Sequence, residues 1–235
     1  MTHPGRKLSL AVVIPTLNEG AALGPALESI SAQRDQAAQV LVADGGSTDR
    51  TVAMALEHGA SVIVGSRRGR GCQIASAVRQ IYADIILVVH ADMILPADAL
   101  ALVRDRLSKS PDCPGGCLGH RFDRPEVLYR VLEWWDRRRA LAGMSYGDQA
   151  QFFRRDVLES QGGFPDQPIM EDVELSRRLS RLGHPAYLDC PVTVSARRFE
   201  RLGWWRASLR NLSMRLSYRR HGLQACPSLY RRYYR

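Results

Sequence analysis

The sequence predicts an α/β fold in which helices flank one mostly parallel central sheet. Short apolar runs alternate four times with helical patterns in the first hundred residues. Two of these runs, residues 10–14 and 85–89, are apolar at every position, as strands covered on both faces should be. Repeated strand–helix–strand units connect by right-handed crossovers and build a parallel sheet. Ligands of such sheets bind beyond the carboxyl ends of the strands.

The first half of the chain follows this alternation, and the second half departs from it. We expect first-half strands at residues 8–15, 39–43, 60–64 and 85–90. The helical patterns between and after them cover residues 21–33, 48–58, 72–82 and 97–109. Beyond a Pro/Gly-rich loop at 111–116, we expect strands at 117–122, 150–153, 186–188 and 192–196, and helices at 126–141 and 170–182. The second half is therefore predicted to be mixed.

Length and charge predict one domain with a basic tail. A chain of 235 residues that is 45% hydrophobic can bury one substantial core. The net charge is +9, yet residues 1–196 hold 22 basic and 23 acidic side chains, whereas residues 197–235 hold 11 arginines and one acid. We expect a domain over residues 1–196, with halves 1–110 and 111–196, and a helical tail over 197–235. The body lacks the basic face that a nucleic-acid partner requires.

Two absences in the sequence favour a cytoplasmic location. The first apolar run is only seven residues long and ends at Pro15 without a cleavage pattern, unlike a signal peptide. No run approaches the ~18 apolar residues that a spanning helix needs. In that compartment the five scattered cysteines are expected to be reduced thiols.

The tail carries an amphipathic pattern. Its apolar stripe, with i, i+4, i+7 and i+11 spacing, consists of Trp205, Leu209, Leu212 and Leu216. Such a stripe often packs on its own domain. The alternative is peripheral contact of residues 203–220 with anionic lipid at the inner face of the membrane, which suits a strongly basic tail.

Polar residues follow three of the predicted strands at the same sheet edge. Asn18 and Glu19 follow the first strand, Asp44 ends the second, and His90 and Asp92 follow the fourth. Helix capping would explain the neighbouring hydroxyl groups. It explains Asp44 poorly, because this residue ends a buried strand before two glycines. A functional cluster is the favoured interpretation.

A loop after the third strand could bind phosphate. The P-loop and dinucleotide fingerprints are absent from the sequence. Residues 65–71 instead combine three glycines with Arg67, Arg68 and Arg70, whose planar donors suit phosphate oxygens. A helix that begins just beyond them would direct its N-terminus at the same anion. The alternative is a solvated basic loop.

Four ordered motifs resemble the signatures of glycosyltransferase family 2. They are VIPTLNE at 13–19, VADGGSTD at 42–49, HAD at 90–92 and MEDVEL at 170–175, and GGFP at 162–165 also matches. Each motif is weak alone, but their order and spacing are specific, and the resemblance covers residues 8–196. More narrowly, GRGxQ at 69–73 and GDQxQFF at 147–153 resemble a small bacterial subgroup associated with selenium or radical-SAM proteins.

The resemblance implies the GT-A fold, with a Rossmann-like sheet, and inverting transfer from a nucleoside diphosphate sugar, usually of UDP. The resemblance assigns a set of residues and their immediate neighbours to donor binding. This set comprises Pro15, Thr16, Asn18, Glu19, Asp44, Gly45, Arg70, Gln73, His90 and Ala91. Asp92 stands where the family's last DxD aspartate holds Mg²⁺ or Mn²⁺. His90 replaces the first aspartate, and this departure removes one hard oxygen donor.

The same resemblance places the acceptor in the second half. Glu171 and Asp172 match the acidic pair that receives it, with Asp148 and Gln149 nearby. An acceptor hydroxyl must lose a proton to a carboxylate, and we expect Asp172 to be that base. The acceptor itself would be a small molecule or a lipid-linked group. The structural alternative is that both acids only favour the helix dipole.

Two other functions stay open at this point. A sugar-1-phosphate nucleotidyltransferase also uses a nucleotide-binding α/β sheet, but it would show a Gly-rich, Lys-containing loop after the first strand. In this sequence the residues at that position, 16–19, are TLNE. In the second alternative the protein is a non-catalytic nucleotide-sugar-binding module, and His90 marks a decayed metal site.

Overall fold

A computed structural model describes residues 6–65 and 67–234 of the chain. Within these residues eight strands form one sheet, in the order β3-β2-β1-β4-β7-β6-β8-β5. The strands are β1 (Leu10–Thr16), β2 (Gln39–Asp44), β3 (Ser61–Val64), β4 (Ile85–Val88), β5 (Met93–Ile94), β6 (Gly115–Phe122), β7 (Gln151–Arg154) and β8 (Ala186–Val194). The helices are α1 (Gly20–Ser31), α2 (Thr51–Glu57), α3 (Arg70–Val78), α4 (Ala99–Lys109), α5 (Val127–Leu141), α6 (Arg155–Ser160), α7 (Glu171–Leu182), α8 (Arg197–Leu202), α9 (Trp204–His221) and α10 (Cys226–Tyr234).

The first half is the parallel α/β layer that the apolar runs predict. Strand β1 pairs in parallel with β2 and β4, and β2 pairs in parallel with β3. Every residue of β1 and β4 is buried. Two apolar clusters line the two sides of the sheet, one around Val12 and Leu87 and the other around Val13 and Ile86. The uninterrupted apolar pattern therefore reflects burial on both faces, and the predicted fold class is confirmed.

The second half is mixed, as expected, but it differs in detail. Strand β7 runs antiparallel to both β4 and β6, whereas β6 and β8 are parallel. The two strands predicted at 186–188 and 192–196 are a single strand, β8, because its pairing with β6 continues past a register shift between Leu118 and His120. The sequence analysis missed β5, which has only two residues, and the short helix α6.

Two glycines let β6 lie between its neighbours. The sequence analysis placed Gly115 and Gly116 in a loop, yet both are in the strand. A Cβ on Gly116 would lie 2.0 Å from the Ala186 carbonyl oxygen of β8, and one on Gly115 would lie 2.3 Å from the Phe152 carbonyl oxygen of β7. The close backbone approach at this point excludes any side chain.

The tail covers part of the second half with one side of α9 and with α10. Met214 and Tyr218 of α9 and Leu229 of α10 form a small apolar cluster with Ile169 and Met170. In contrast, the predicted stripe faces away from the protein, because Trp205 is 72% and Leu209 64% exposed, and Leu212 and Leu216 are exposed as well. Among the described residues, no helix combines the length and the apolar character that crossing a bilayer requires.

Substituting Gly116 tests the close approach of β6 and β8. We expect Gly116→Ala to lower the free energy of unfolding by about 3 kcal/mol or more, since a backbone carbonyl cannot move aside as a side chain can. Gly24→Ala in α1 is the matched control, because its nearest atom, Met54 Sδ, is 3.4 Å away. Pro25 follows Gly24 in the helix and disfavours the helical conformation of a preceding residue that has a Cβ, which offsets the better helix propensity of alanine. This change should therefore alter the free energy of unfolding by less than about 1 kcal/mol. Urea unfolding of both variants measures the difference, and equal midpoints would contradict the analysis.

Candidate active site

A cavity of about 280 Å³ is lined by both halves of the chain and by the tail. The first half contributes Arg70, His90 and Asp92, and the second half contributes Asp148 and Asp172. Residues of α8, α9 and α10 complete the wall. The structure thus brings together five residues that the sequence analysis assigned to donor, metal and acceptor. The other predicted site residues do not line this cavity: Pro15, Thr16, Asn18, Glu19, Asp44, Gly45, Arg67, Gln73, Ala91, Gln149 and Glu171.

The carboxylate of Asp44 organises the loop that follows β2. It is fully buried, and its Oδ1 accepts a hydrogen bond from the Thr16 hydroxyl at 3.0 Å. Its Oδ2 accepts the backbone N–H groups of Gly46 and Ser47 at 2.9 and 2.8 Å. Asp44 therefore fixes the ends of β1 and β2 relative to each other. Its contact with a base or ribose stays a prediction.

Gln73 joins the same two strand ends from α3. Its Nε2 donates to the carbonyl oxygens of Thr16 at 2.6 Å and Ala43 at 2.9 Å. A Cβ on Gly45 would lie only 2.9 Å from that nitrogen, so the glycine makes room for the amide. Both amide hydrogens are therefore engaged by the protein, and the predicted role of Gln73 at a diphosphate is untested.

Arg70 links the N-terminus of α3 to the N-terminus of α7. Its guanidinium forms ion pairs with Glu171 and with Asp172, the latter at 3.4 Å. Glycines permit this meeting, since a Cβ on Gly71 would lie 2.2 Å from the Gln167 carbonyl oxygen. The sequence analysis assigned Arg70 to a diphosphate, and that role stays a prediction. The structure shows it pairing with two acids of the second half of the chain and so joining the two halves.

The two acids differ in exposure and in their hydrogen bonds. The Glu171 side chain is 2% exposed and that of Asp172 is 14% exposed. Burial raises the pKa of Glu171 to about 7, the negative charge of Asp172 adds to the rise, and Arg70 opposes it. Asp172 accepts the Gly147 N–H on Oδ2 at 2.9 Å and the Val173 N–H on Oδ1 at 2.8 Å. Asp172 is thus the acid that faces the cavity in a fixed orientation.

His90 and Asp92 follow β4 on the opposite side of this contact. A Cβ on Gly147 would lie 2.9 Å from His90 Nε2 and 3.3 Å from Asp172 Oδ2, so the imidazole lies beside the carboxylate of Asp172. Burial lowers the pKa of His90 well below its usual range, and the charges of Arg70 and Arg198 lower it further. The ring is therefore neutral and able to act as a ligand or hydrogen-bond acceptor.

Arg197 is a site residue that the sequence analysis missed. Its guanidinium reaches Glu19 Oε2 at 2.6 Å and Asp92 Oδ2 at 3.4 Å. It therefore joins the loop after β1 to the loop after β4 from the start of α8. Arg67, by contrast, pairs with Asp166 and is largely exposed, while Ser66 of the predicted phosphate loop lies outside the described residues.

Left-handed backbone occurs at one residue of the cavity wall, Met170, and at two positions that are or adjoin predicted site residues. Among the described residues, three that are not glycine have a left-handed conformation: Asn18 (φ 55°), Ala150 (φ 41°) and Met170 (φ 65°). Asn18 lies in the loop after β1, Ala150 directly follows Gln149, and Met170 directly precedes Glu171. Such conformations cost on the order of 1–3 kcal/mol each and cluster at functional sites.

Comparison with known proteins shows the family of the chain. The sequence model described as glycosyl transferase family 2 matches residues 11–160. The glycosyltransferase AglJ of Haloferax volcanii is 32% identical over 173 residues, which are 70% of this chain and 54% of AglJ. A dolichyl-phosphate hexose transferase of the same organism is 33% identical over 107 residues, 46% of each chain. The chain spans about half the length of these curated relatives.

A solved structure shares the fold. Glucosyl-3-phosphoglycerate synthase of Mycobacterium tuberculosis, determined with Mn²⁺, UDP and glucosyl-3-phosphoglycerate, superposes with a TM-score of 0.60 at 22% identity. The match covers 83% of this chain and 77% of that one. The sheet and its flanking helices therefore form a GT-A fold. With the family model matched over residues 11–160, the chain belongs to glycosyltransferase family 2.

Proposed function

We propose that this protein is an inverting glycosyltransferase that moves a sugar from a nucleoside diphosphate sugar, most simply a UDP-sugar, to an acceptor hydroxyl. One observation carries the proposal: Asp172 lines the same cavity as His90 and Asp92. An acid on the acceptor side thus faces the residues that follow β4, where donors of such sheets bind. Inversion needs a base on the face opposite the leaving group, and a cavity with acids on both sides provides it.

The donor site fits a divalent metal, Mg²⁺ or Mn²⁺. Asp92 offers a partly exposed carboxylate and His90 a neutral imidazole, both on the cavity wall. When bound, the ion would neutralise the charge that develops on the leaving diphosphate. Carboxylate oxygen suits either ion, whereas imidazole favours Mn²⁺ over Mg²⁺. Arg197 pairs with Asp92 in this structure, so donor binding would have to share or displace that ion pair.

Asp172 is proposed as the base. The Gly147 and Val173 N–H groups and Arg70 hold its carboxylate in place. These contacts fix the direction of the carboxylate, so that an acceptor hydroxyl can transfer its proton to it. Glu171 would act indirectly, through Arg70, because it is buried against Arg70 and does not line the cavity. Asp148 lies on the cavity wall, where it would contact the acceptor. Gln149 is buried beside it and accepts the Tyr146 N–H, so its proposed part is to hold this turn in place.

The acceptor is proposed to be lipid-linked, with the protein on the cytoplasmic face of a membrane. Helix α5 exposes Val127, Val131, Trp134 and Trp135, and α9 exposes the stripe that begins at Trp205. Other sides of both helices line the cavity, through Leu132 in α5 and through Asn211 and Arg215 in α9. Two exposed apolar stripes thus flank the cavity. The dolichyl-phosphate relative supports an acceptor of this class.

Several arginines of α9 complete the proposed membrane surface. Arg206, Arg219 and Arg220 lie beside the apolar stripe at exposed positions. Interfacial helices typically insert apolar residues into the headgroup region, while neighbouring cations contact anionic lipid.

We also propose, from the narrower resemblance, that the chain belongs to the selenium- or radical-SAM-associated subgroup. This membership would not determine the acceptor.

Replacing Asp172 tests the base. We expect Asp172→Asn to lower sugar transfer, or donor hydrolysis in its place, by ~10²–10⁴-fold, because a positioned base contributes that much. Donor affinity should stay close to that of the wild type. Glu171→Gln is the comparison, and it should affect the rate less. Steady-state kinetics and calorimetry separate the two effects. A large loss of activity in Glu171→Gln with little loss in Asp172→Asn would make Glu171 the base. Full activity in both variants would mean that another residue is the base, and Asp148 would be tested next.

Replacing Asp92 tests the metal. Asp92→Asn should abolish the Mn²⁺ dependence of UDP binding, because it removes the only carboxylate that directly follows β4. Asp105→Asn on the exposed face of α4 is the control. His90→Asp should strengthen metal-dependent binding by restoring a hard oxygen donor. Calorimetric titration of UDP with and without Mn²⁺ gives the result, and equal metal dependence in Asp92→Asn would refute the assignment.

Introducing charged residues into the apolar stripe of α9 tests membrane contact. The double change Leu209→Glu and Leu212→Glu should prevent co-sedimentation with vesicles that contain anionic phospholipid, since it places two carboxylates at the proposed interface. Leu102→Glu, on the exposed side of α4, is the matched control. Deleting the tail would be a poorer test, because Met214 and Tyr218 belong to a buried cluster.

Two results of the vesicle experiment would end the membrane proposal. One is that the intact protein does not sediment with the vesicles. The other is that the double variant sediments as well as the wild type while circular dichroism shows both to be folded.

A further inference from the structure

Three residues with metal-ligating side chains meet on the acceptor side of the cavity. His120 comes from β6, Asp136 from α5, and Asp148 from the 3₁₀ turn Gly147–Gln149. One ligand atom from each residue lies within 4.8 Å of the other two. Asp136 and Asp148 line the cavity, whereas His120 lines a second, smaller one on the other side. The three side chains thus form part of the partition between the two cavities.

Two atoms of this cluster are buried without hydrogen bonds. The His120 side chain is 1% exposed, and its Nε2 lies 3.5 Å from Asp136 Oδ2. Within residues 6–65 and 67–234, neither this nitrogen nor Asp148 Oδ1 has a hydrogen-bond partner. Buried polar atoms are nearly always paired, and an unpaired one costs about 1–3 kcal/mol. A cation between them would satisfy both atoms.

Neighbouring residues orient the side chains of His120 and Asp136 toward each other. Arg139 binds Asp136 Oδ1, which leaves Oδ2 directed at His120. The register of β6 against β8 shifts beside His120, and a Cβ on Gly119 would lie 2.8 Å from the Tyr187 hydroxyl. Such irregularities redirect side chains next to functional sites. A ligand carboxylate held by a second residue is typical of protein metal sites.

The charges at the cluster also favour a cation. The Asp136 and Asp148 carboxylates each place an oxygen within 4.8 Å of the other's, and Arg139 pairs with Asp136. A dication bound between the two carboxylates would relieve their repulsion more fully than the single guanidinium on one side does.

We propose that His120, Asp136 and Asp148 bind a divalent transition metal ion, Zn²⁺ or Mn²⁺, at a site separate from the donor metal at Asp92. One imidazole nitrogen and two carboxylate oxygens suit these ions better than Mg²⁺ or Ca²⁺. Three protein ligands leave coordination positions open, and the cavity adjoins two of the ligands. If the proposed transfer reaction holds, an acceptor oxygen would enter there; the metal site itself does not depend on that reaction.

A metal titration without nucleotide tests this site. Chelator-treated protein is titrated with Co²⁺ alone, followed by visible absorption, and with Zn²⁺ alone by calorimetry. We expect one equivalent to bind, and Asp148→Asn and His120→Gln to weaken its affinity by about 100-fold or more, since loss of even an outer-shell partner costs 10–100-fold. Asp92→Asn should leave this equivalent unchanged. Asp189→Asn, at an exposed position beside the smaller cavity, is the matched control.

The outcomes separate this proposal from the proposed function. No binding by the wild type, or equal binding by Asp148→Asn, would overturn the metal site and leave His120 as a structural neighbour of Asp136. Loss of binding only in Asp92→Asn would overturn it too, because the ion would then occupy the donor site. Thermal unfolding checks each variant, and if His120→Gln does not fold, Asp148→Asn decides. A protein that transfers no sugar could still bind this ion.

Discussion

The ion pairs between Arg70 and the acids Glu171 and Asp172 determine the geometry of the active site. They join the first turn of α3, which carries donor-side residues, to the first turn of α7, which carries the proposed base. A mostly buried guanidinium shared by two carboxylates is satisfied only at one relative position of the two helices. Gly71 makes that position reachable, because the chain passes within van der Waals contact of residues 167–171.

The apolar runs predicted the parallel half and the sheet edge that carries His90 and Asp92, and this prediction has a physical reason. Buried strands have uninterrupted apolar runs, and their carboxyl ends share one edge. Asp172 was placed opposite His90 and Asp92 only by the resemblance to glycosyltransferase family 2. The sequence did not show that Asp44 and Gln73 form hydrogen bonds with the backbone of neighbouring loops and strand ends. Hydrogen bonds between distant segments follow no spacing rule. Nor did it find Arg197 or the meeting of His120 with Asp136, because these depend on how the tail, β6 and α5 pack.

The tail has two different faces. One face of α9 is fixed to the body through Met214 and Tyr218, whose hydroxyl lies 3.3 Å from Glu174 of α7. The other face presents the apolar stripe to solvent. Periodicity alone could not choose between packing and exposure, because Ala207, Met214 and Tyr218 form a buried side distinct from the stripe. The helix that lines part of the cavity is therefore also the one that exposes the apolar stripe.

The measurement that tests the central claim most directly is the release of nucleoside diphosphate. A panel of UDP-, GDP- and dTDP-hexoses is incubated with the protein and Mn²⁺, and the products are separated by chromatography. A glycosyltransferase should hydrolyse at least one donor slowly to the nucleoside diphosphate and the free sugar. Binding of a donor with no release from any member of the panel would contradict the account and indicate a non-catalytic module. Formation of nucleoside triphosphate on adding pyrophosphate would instead indicate a nucleotidyltransferase.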